Sequence, residues 1–285
     1  MGERVVLFEM GPRDGLQNEA RAIPTADKIR LIDLLSAAGL SKIETTSFVS
    51  PKWVPQMADA SEVLAGISRR SGVTYAALTP NLRGLERAIA ARANEVAVFA
   101  SASQGFSRAN INCSIAESLA RYAGVIKAAK AAGLPVRGYV SCITDCPYDG
   151  LVEPTAVSAV ANALLDLGCY EVSLGDTLGR ATPERVGRLL HHLLSELPAA
   201  RLAAHFHDTS GRALENLEVA LGAGLRSFDA SVAGLGGCPF APGAKGNVAT
   251  EAVVARLAKL GFETGINTSR LAEAAAFAQS LRSPA

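Results

Sequence analysis

The sequence predicts an α/β fold, a closed (β/α)8 TIM barrel with an additional C-terminal helix and a glycine-rich loop after strand 8. Short runs of aliphatic and β-branched residues alternate along the chain with longer stretches rich in Ala, Leu, Arg and Glu. This alternation is typical of a parallel sheet covered by helices. Eight such units in about 250 residues indicate a barrel. A doubly wound open sheet is the alternative, and the lack of a G-x-G-x-x-G motif after the first strand weighs against it.

Each unit combines a strand-like run with a segment whose apolar residues have helical spacing. The first strand is VVLFEM, and the first helix is TADKIRLIDLLSAAG, with Thr25 as a possible N-cap and Gly39 as a stop signal. The next seven units are, in order, SKIETT with QMADASEVLAGISRR, VTYAALT with NLRGLERAIAAR, EVAVFAS with SIAESLARYAGVIKAAKAAG, PVRGYVSCI with EPTAVSAVANALLDLG, YEVSLGDT with TPERVGRLLHHLLSEL, RLAAHFH with ALENLEVALGAG, and RSFDASVAG with VATEAVVARLAKLG. The final segment, SRLAEAAAFAQSLRS, predicts an extra helix outside the barrel. We therefore expect a single TIM-barrel domain over residues 1–285, with the barrel at about 4–262 and the extra helix at about 268–282.

The composition excludes several classes of protein. The chain is 49% hydrophobic, and its formal net charge of +1 comes from scattered Lys and Arg, which argues against a nucleic-acid partner. No apolar run approaches the roughly 18 residues of a membrane span. Five cysteines at irregular spacing do not indicate a disulfide framework. The first residues, MGER, lead directly into a strand, so we expect no signal or transit peptide and a cytoplasmic protein.

Polar residues gather at the ends of the predicted strands, where a (β/α)8 barrel builds its active site. On strand 7, His205 and His207 are two residues apart and therefore point to the same face. The other polar residues at this rim are Arg13, Asp14 and Gln17 after strand 1, Glu44, Thr46 and Ser47 on strand 2, Asn110 after strand 4, Arg137 and Tyr139 on strand 5, Asp176 on strand 6, and Cys238 and Asn247 after strand 8. Barrel closure is expected to bring the two histidines opposite Asp14 and Asn247.

Asp14, His205, His207 and Asn247 form a candidate metal site. Two imidazoles, one carboxylate and one amide oxygen leave positions open for water or substrate oxygens, and they suit Mg²⁺ or Mn²⁺. Zinc is disfavoured unless Cys238 coordinates. Composition alone does not exclude iron, because two histidines and a carboxylate also describe non-haem iron sites.

Each candidate also has a purely structural interpretation. The alternatives are a turn for Asp14, an arginine pair for Glu44, a helix cap for Asp176, an unreactive loop thiol for Cys238 and an N-cap for Asn247. The functional interpretation gains weight because these residues coincide at one rim of the barrel.

Five segments together carry a family resemblance. They are GPRDGLQNE, IETTSFVSPKWVPQM, SLGDT, HFHDTSG and SVAGLGGCPFAPGAKGN, and the likeness that they carry runs from about Phe8 to Gly265. In this order they resemble the 3-hydroxy-3-methylglutaryl-CoA lyase family of metal-dependent lyase and synthase barrels. The loop GLGGCP resembles the cysteine loop of the lyases, and RDGLQ differs from the RDGEQ of the isopropylmalate and homocitrate synthases. The chain has neither the C-terminal cysteine tail nor the leader of animal members, so a bacterial member is expected.

The resemblance implies a divalent-metal-dependent enzyme that cleaves (S)-3-hydroxy-3-methylglutaryl-CoA to acetoacetate and acetyl-CoA, in leucine degradation and ketone-body formation. It implies Asp14, His205, His207 and Asn247 as metal ligands. It implies these catalytic residues: Arg13, Asp14, Glu44, Asp176, His205 and Cys238. The residues expected to bind the substrate are Arg13, Gln17, Ser47, Asn110 and Arg137.

The expected reaction is a retro-Claisen cleavage. The metal lowers the pKa of the tertiary hydroxyl of the substrate, and a base removes its proton; Asp14, Asp176 and His205 are all candidates. Arg13 then stabilises the negative charge that develops on the thioester, and Cys238 protonates the carbanion.

Four other functions compete with this interpretation. They are a lyase for a longer-chain 3-hydroxyglutaryl-CoA analogue, a 2-oxo-acid/acetyl-CoA condensing synthase, a non-haem iron oxygenase and a non-catalytic metal- or CoA-binding barrel. Pocket width would separate the first, and the GLGGCP loop argues against the second. Arg13 and Cys238 argue against the last. The expected partners are an acyl-CoA substrate and, by resemblance, a second copy of the chain in a homodimer.

Overall fold

The computed structural model describes residues 2–236 and 246–282. Its strands are β1 (Val6–Glu9), β2 (Lys42–Ser47), β3 (Thr74–Leu78), β4 (Glu95–Ser101), β5 (Val136–Ser141), β6 (Asp145–Cys146), β7 (Gly150–Leu151), β8 (Glu171–Asp176), β9 (Leu202–Phe206) and β10 (Ser227–Ala230). Eight of these strands are parallel and close into a barrel in the order β1-β2-β3-β4-β5-β8-β9-β10. The predicted (β/α)8 fold is therefore confirmed. Strands β6 and β7 form a separate antiparallel hairpin after β5.

Helices connect the barrel strands. They are α1 (Thr25–Ala37), α2 (Ala60–Gly66), α3 (Leu82–Ala90), α4 (Gln104–Ile111), α5 (Ile115–Ala131), α6 (Pro154–Leu167), α7 (Pro183–Leu194), α8 (Ala213–Gly222), α9 (Thr250–Lys259) and α10 (Thr268–Leu281). Two short turns matter for the site: a π-helical turn at Gly11–Gly15 and a 3-10 turn at Val232–Gly234. Within the described ranges, no helix has both the length and the apolar character needed to cross a bilayer.

Helix α4 lies between β4 and the helix that the sequence predicts after it. Its N-cap is Ser103, whose side chain accepts the N–H of Phe106 at 3.1 Å. The capping satisfies one of the free donors of the first turn, which explains how so short a segment is helical. The C-terminal helix α10 agrees with the predicted extra helix and packs against α1.

The barrel has two differently built layers. Between the sheet and the helices lies a continuous apolar core, with fully buried residues such as Leu31, Ile43 and Leu164. The barrel interior holds a much smaller apolar cluster of Phe8, Met10, Ala76, Leu78, Ala97 and Tyr139. The rest of the interior is filled by charged and polar side chains, which begin at the lower end with an ion pair between Lys42 and Glu95 at 2.8 Å.

Candidate active site and metal centre

The turn Gly11–Gly15 carries Arg13 and Asp14 to the C-terminal mouth of the barrel. The Met10 carbonyl accepts the N–H groups of Arg13 and Asp14 at 3.2 and 2.8 Å, which winds the chain tightly. Glycine is required at the last position of the turn, because a Cβ there would lie 2.6 Å from the Leu235 side chain. Small residues therefore let the turn pack directly against the segment that follows β10.

Arg13 lies between two carboxylates. Its Nε donates to Glu44 Oε2 at 2.5 Å, and its Nη1 donates to Asp14 Oδ1 at 2.7 Å. The Tyr139 hydroxyl donates to the other Glu44 oxygen at 3.1 Å. Since Arg13 is buried, these bonds fix the position of the guanidinium, and Glu44 acts as its anchor.

The charge state of Asp14 depends on its neighbours. Burial by itself would raise the pKa of Asp14, but the charges of Arg13, His205 and His207 and a hydrogen bond from Asn247 lower it to about 2. Asp14 is therefore a carboxylate at neutral pH. Burial raises the pKa of Glu44, and the nearby Arg13 charge opposes that shift.

His205 and His207 meet Asp14 at the mouth. Their ring centroids are 5.3 Å apart, as expected for residues two apart on an extended strand. One ligand atom from each of Asp14, His205 and His207 lies within 4.8 Å of the others. These three residues could therefore bind a common metal ion.

Asn247 completes this group. Its backbone forms an antiparallel bridge with His207, and its Nδ2 donates to Asp14 Oδ2 at 2.8 Å and to the Leu235 carbonyl at 3.1 Å. The structure thus brings together the four residues expected to face one another.

The donor atoms fit a divalent cation. His207 Nδ1 is buried and has no hydrogen-bond partner in the described part of the chain. Burial, together with the neighbouring His205 charge, lowers the pKa of His207 to about 4, so the ring is neutral and a nitrogen lone pair is available at pH 7. A neutral imidazole beside an ionised carboxylate is the form in which these residues bind metals.

Asp229, which the sequence analysis did not select, supports this group from inside the barrel. Asp229 Oδ2 lies 3.2 Å from His205 Nδ1 and accepts the Ser173 hydroxyl at 2.7 Å. Its other oxygen pairs with Arg137 Nη2 at 2.8 Å. A carboxylate on one ring nitrogen orients a histidine so that the other nitrogen can bind a metal.

A sequence signal for Asp229 did exist. The run SFDA is a strand, and aspartate is depleted in strands. In the sheet, Asp229 is in register with His205 on the neighbouring strand, so the two side chains share the inner face. The strand order predicted from a (β/α)8 barrel would have placed them side by side.

Asp176, a predicted catalytic residue, ends β8 one position beyond the residue that is level with His205. In the sheet register Gly175 is level with His205, whereas Asp176 is level with Phe206, which belongs to the outer core. The Asp176 carboxylate accepts the N–H groups of Arg180 and Ala181 at 3.3 and 3.1 Å. It therefore supports the loop after β8, whereas the N-cap of the next helix, α7, is Thr182. Burial raises the pKa of Asp176 to about 6.

Arg137, a predicted substrate-binding residue, lies deep in the barrel. Its side chain is fully buried inside the barrel, where it pairs with Glu171 at 2.7 Å and with Asp229 at 2.8 Å. Its guanidinium lies 4.4 Å from the centroid of the Phe8 ring. A side chain so enclosed stabilises the interior and holds Asp229 in place.

Three further candidates lie at the ends of barrel strands or in the segments that follow them. Gln17 is half-buried just after the Gly11–Gly15 turn, and Asn110 is exposed on α4. Ser47 is buried at the end of β2, where its hydroxyl accepts the Val49 N–H at 3.3 Å. Cys238 lies outside the described residues.

Comparisons with known proteins agree with this arrangement. A family model described as HMGL-like matches residues 4–278. The mitochondrial hydroxymethylglutaryl-CoA lyase of Bos taurus is 56% identical over 275 residues, which is 96% of this chain and 85% of that protein. The 3-hydroxy-3-isohexenylglutaryl-CoA/hydroxymethylglutaryl-CoA lyase of Pseudomonas aeruginosa is 57% identical over 272 residues, or 95% of this chain and 91% of that protein. The crystal structure of the HMG-CoA lyase from Brucella melitensis matches with a TM-score of 0.97 at 61% identity, covering 98% of this chain and 99% of that chain.

Replacing Asp229 should weaken metal binding without unfolding the barrel. In Asp229→Asn the shape is kept, but the charge that holds His205 and Arg137 is lost. We expect the dissociation constant for Mn²⁺, measured by calorimetric titration, to rise about tenfold to a hundredfold. Ser173→Ala, which removes one hydroxyl hydrogen bond to the same carboxylate and keeps its charge, is the matched control and should change the dissociation constant less than about tenfold. Wild-type affinity in Asp229→Asn would contradict the assigned role.

Proposed function

The chain belongs to the HMGL-like family, and from this we infer that it is a hydroxymethylglutaryl-CoA lyase. It is a carbon–carbon lyase, and its reaction is the retro-Claisen cleavage of (S)-3-hydroxy-3-methylglutaryl-CoA to acetoacetate and acetyl-CoA. The observation that carries this conclusion is the identity of more than half of the residues to lyases of this name over nearly the whole chain. We include the barrel and α10 in one catalytic domain.

The residues that would hold the metal in this proposal are Asp14, His205, His207 and Asn247, and the ion would be Mg²⁺ or Mn²⁺. Their mutual contacts at the mouth and the unpartnered His207 Nδ1 support this assignment. Ligands of oxygen and imidazole nitrogen, with no thiolate among these four, suit these ions. When bound, the ion supplies Lewis-acid activation of the substrate hydroxyl.

Arg13 is proposed to stabilise the enolate that develops when the C–C bond breaks. A guanidinium that is fixed before the reaction needs little reorganisation when charge develops, which makes it an effective electrostatic catalyst. The bonds to Glu44 and Asp14 supply that fixation. Glu44 is thus a positioning residue in this proposal, and Asp14 is the proton acceptor, because both His205 ring nitrogens are assigned to Asp229 and to the metal. Asp176 is less suited to that role because it faces the helices.

Cys238 is proposed as the proton donor that converts the enolate to acetyl-CoA. The two ends of the segment that contains it support this role. Gly236 lies so close to the site that a Cβ on it would be 2.8 Å from Asn247 Nδ2, and Gly246 directly precedes that asparagine. Gln17, Ser47 and Asn110 remain proposed contacts of the acyl-CoA substrate.

A homodimer in the cytoplasm is part of the proposal. The described cysteines Cys113, Cys142, Cys146 and Cys169 are all free and buried, which is typical of a reducing compartment. Leu82 and Ile89 are exposed on one helix, α3, and supply apolar surface for a contact. Analytical ultracentrifugation should give twice the mass of the chain. The variant Leu82→Glu/Ile89→Glu should sediment as a folded monomer if α3 forms the contact, and a monomeric wild type would contradict the proposal.

A coupled assay with 3-hydroxy-3-methylglutaryl-CoA tests the function directly. We expect acetoacetate and acetyl-CoA in the presence of Mg²⁺ or Mn²⁺, and none after treatment with EDTA. The isohexenyl analogue should be assayed in parallel, because the Pseudomonas aeruginosa relative carries both substrates in its name. Cleavage of the analogue alone would replace the proposed substrate with the longer one. No cleavage of either by folded, reduced, metal-loaded protein would overturn the function.

Two substitutions separate the proposed catalytic roles. Arg13→Met should lower kcat/KM by about a thousandfold, equivalent to roughly 4 kcal/mol of transition-state stabilisation. Cys238→Ser should lose most turnover yet bind Mn²⁺ with wild-type affinity, because a proton donor is not a metal ligand. Near-normal kcat in Cys238→Ser would refute the proton-donor role. Circular dichroism should show that both variants retain the fold.

A further inference from the structure

Glu9 is a buried carboxylate that the proposed chemistry does not use. It ends β1, and its two chain neighbours, Phe8 and Met10, belong to the apolar cluster inside the barrel. Because side chains alternate along a strand, Glu9 lies on the outer side of the sheet, beneath the helices. It has no exposed surface.

Three hydrogen bonds converge on this carboxylate. Glu9 Oε1 accepts the N–H groups of Gly11 and Val232, both at 2.8 Å. Glu9 Oε2 accepts the hydroxyl of Thr250 at 2.7 Å. Among the described residues, no Lys, Arg or His forms an ion pair with it. The carboxylate is therefore held by backbone and hydroxyl donors rather than by a cation.

The three donors belong to three different segments of the mouth. Gly11 begins the turn that carries Arg13 and Asp14. Val232 begins the 3-10 turn before the segment that contains Cys238. Thr250 begins α9, three residues after Asn247. The Glu9 side chain thus connects the segment after β1, which carries Arg13 and Asp14, with the two segments after β10 that flank Cys238 and Asn247.

The packing around Glu9 leaves little freedom for another arrangement. A Cβ on Gly11 would lie 2.7 Å from Glu9 Oε1, so the turn approaches the carboxylate at backbone distance. In the neighbouring 3-10 turn, Ala233 has a φ of 55°, a left-handed conformation that is unfavourable for alanine. Such a conformation persists only where surrounding contacts hold it, and the Val232 N–H to Glu9 is one of those contacts.

Keeping a carboxylate in this place is unfavourable for stability. Burial raises the pKa of Glu9 to about 7, and the nearby Glu251 charge acts in the same direction, whereas the three hydrogen bonds oppose the shift. An apolar residue would avoid this penalty. The hydrogen bonds to the site segments give a reason for its presence.

We propose that Glu9 is a positioning residue for the active site: its carboxylate holds the Gly11 turn, the Val232 turn and the start of α9 in the arrangement in which Asp14 meets Asn247. The proposal deepens the proposed function and rests on it for the identity of the site. Whether the metal ligands are correctly placed can be tested by Mn²⁺ binding, which requires no substrate.

Glu9→Ala and Glu9→Gln test this role together. Glu9→Ala removes all three bonds and should raise the Mn²⁺ dissociation constant and lower kcat, each by about tenfold or more, with KM changed less than about threefold. Gln keeps the length: its oxygen can accept both N–H groups, and its amide can donate to the Thr250 hydroxyl. Glu9→Gln should therefore restore Mn²⁺ binding to within about threefold of wild type.

The matched control is Glu95→Ala, which removes a buried carboxylate at the opposite end of the barrel, where it bonds Lys42 and Tyr170. It should lower the melting temperature and leave Mn²⁺ affinity unchanged. If Glu9→Ala loses stability like this control but binds Mn²⁺ and turns over like wild type, Glu9 is structural only and the proposal fails. It also fails if Glu9→Gln is as impaired as Glu9→Ala, because charge rather than hydrogen bonding would then matter.

A second variant keeps the test decisive if Glu9→Ala does not fold. Thr250→Val deletes one of the three donors with little change in volume, and it should weaken Mn²⁺ binding by about threefold; unchanged binding would overturn the proposal.

The positioning role of Glu9 and the proposed lyase function can fail separately. Weakened Mn²⁺ binding in a protein that cleaves no acyl-CoA removes the proposed substrate and leaves the positioning role, whereas wild-type lyase activity in Glu9→Ala removes the positioning role alone.

Discussion

The constraint on which this structure depends is the balance of charge inside the barrel. The guanidiniums of two arginines form ion pairs there with four carboxylates. The arginines are Arg13 and Arg137, and the carboxylates belong to Asp14, Glu44, Glu171 and Asp229. If all are ionised, the interior holds two more negative than positive charges, and burial makes any uncompensated charge unfavourable. Burial raises the pKa of Glu44, and the charges of Asp14 and Asp229 act in the same direction. A divalent cation at Asp14, His205 and His207 would offset the excess where the barrel opens to substrate.

The mouth is held from both faces of the sheet. On the inner face, Asp229 fixes His205 and is itself fixed by Arg137. On the outer face, Glu9 bonds the segments that follow β1 and β10. The carboxylate of Asp14, the amide of Asn247 and the imidazole of His205 come from different segments, so contacts between those segments must hold them within metal-binding distance. Asp229 and Glu9 are buried carboxylates on opposite faces of the sheet. Their hydrogen bonds explain how the site segments keep their relative positions.

The sequence was sufficient for the fold and for the residues whose placement follows from strand periodicity. His205 and His207 share a face because they are two apart, and Asp14 and Asn247 meet them because they follow barrel strands. For Asp176 the sequence predicts a place at the end of a strand, but not its hydrogen-bond partners, which are backbone N–H groups of the following loop. Arg137 is the second residue of β5, about 13 Å below the end of that strand. Its ion pairs with Glu171 and Asp229 join it to strands distant in sequence, so the sequence alone does not show them.

The composition of the barrel interior shows how the fold accommodates the site. In most (β/α)8 barrels, layers of bulky branched residues fill this space. Here, the inner positions of β3 and β4 include Ala76 and Ala97, whose small side chains leave volume for the long side chains of Arg137 and Tyr139. Those two residues reach across to Asp229 and to Glu44, the anchors of His205 and Arg13. An apolar filling would pack as well and would not bury charge. The interior therefore gives up stabilising apolar contacts in order to hold two site residues in fixed positions.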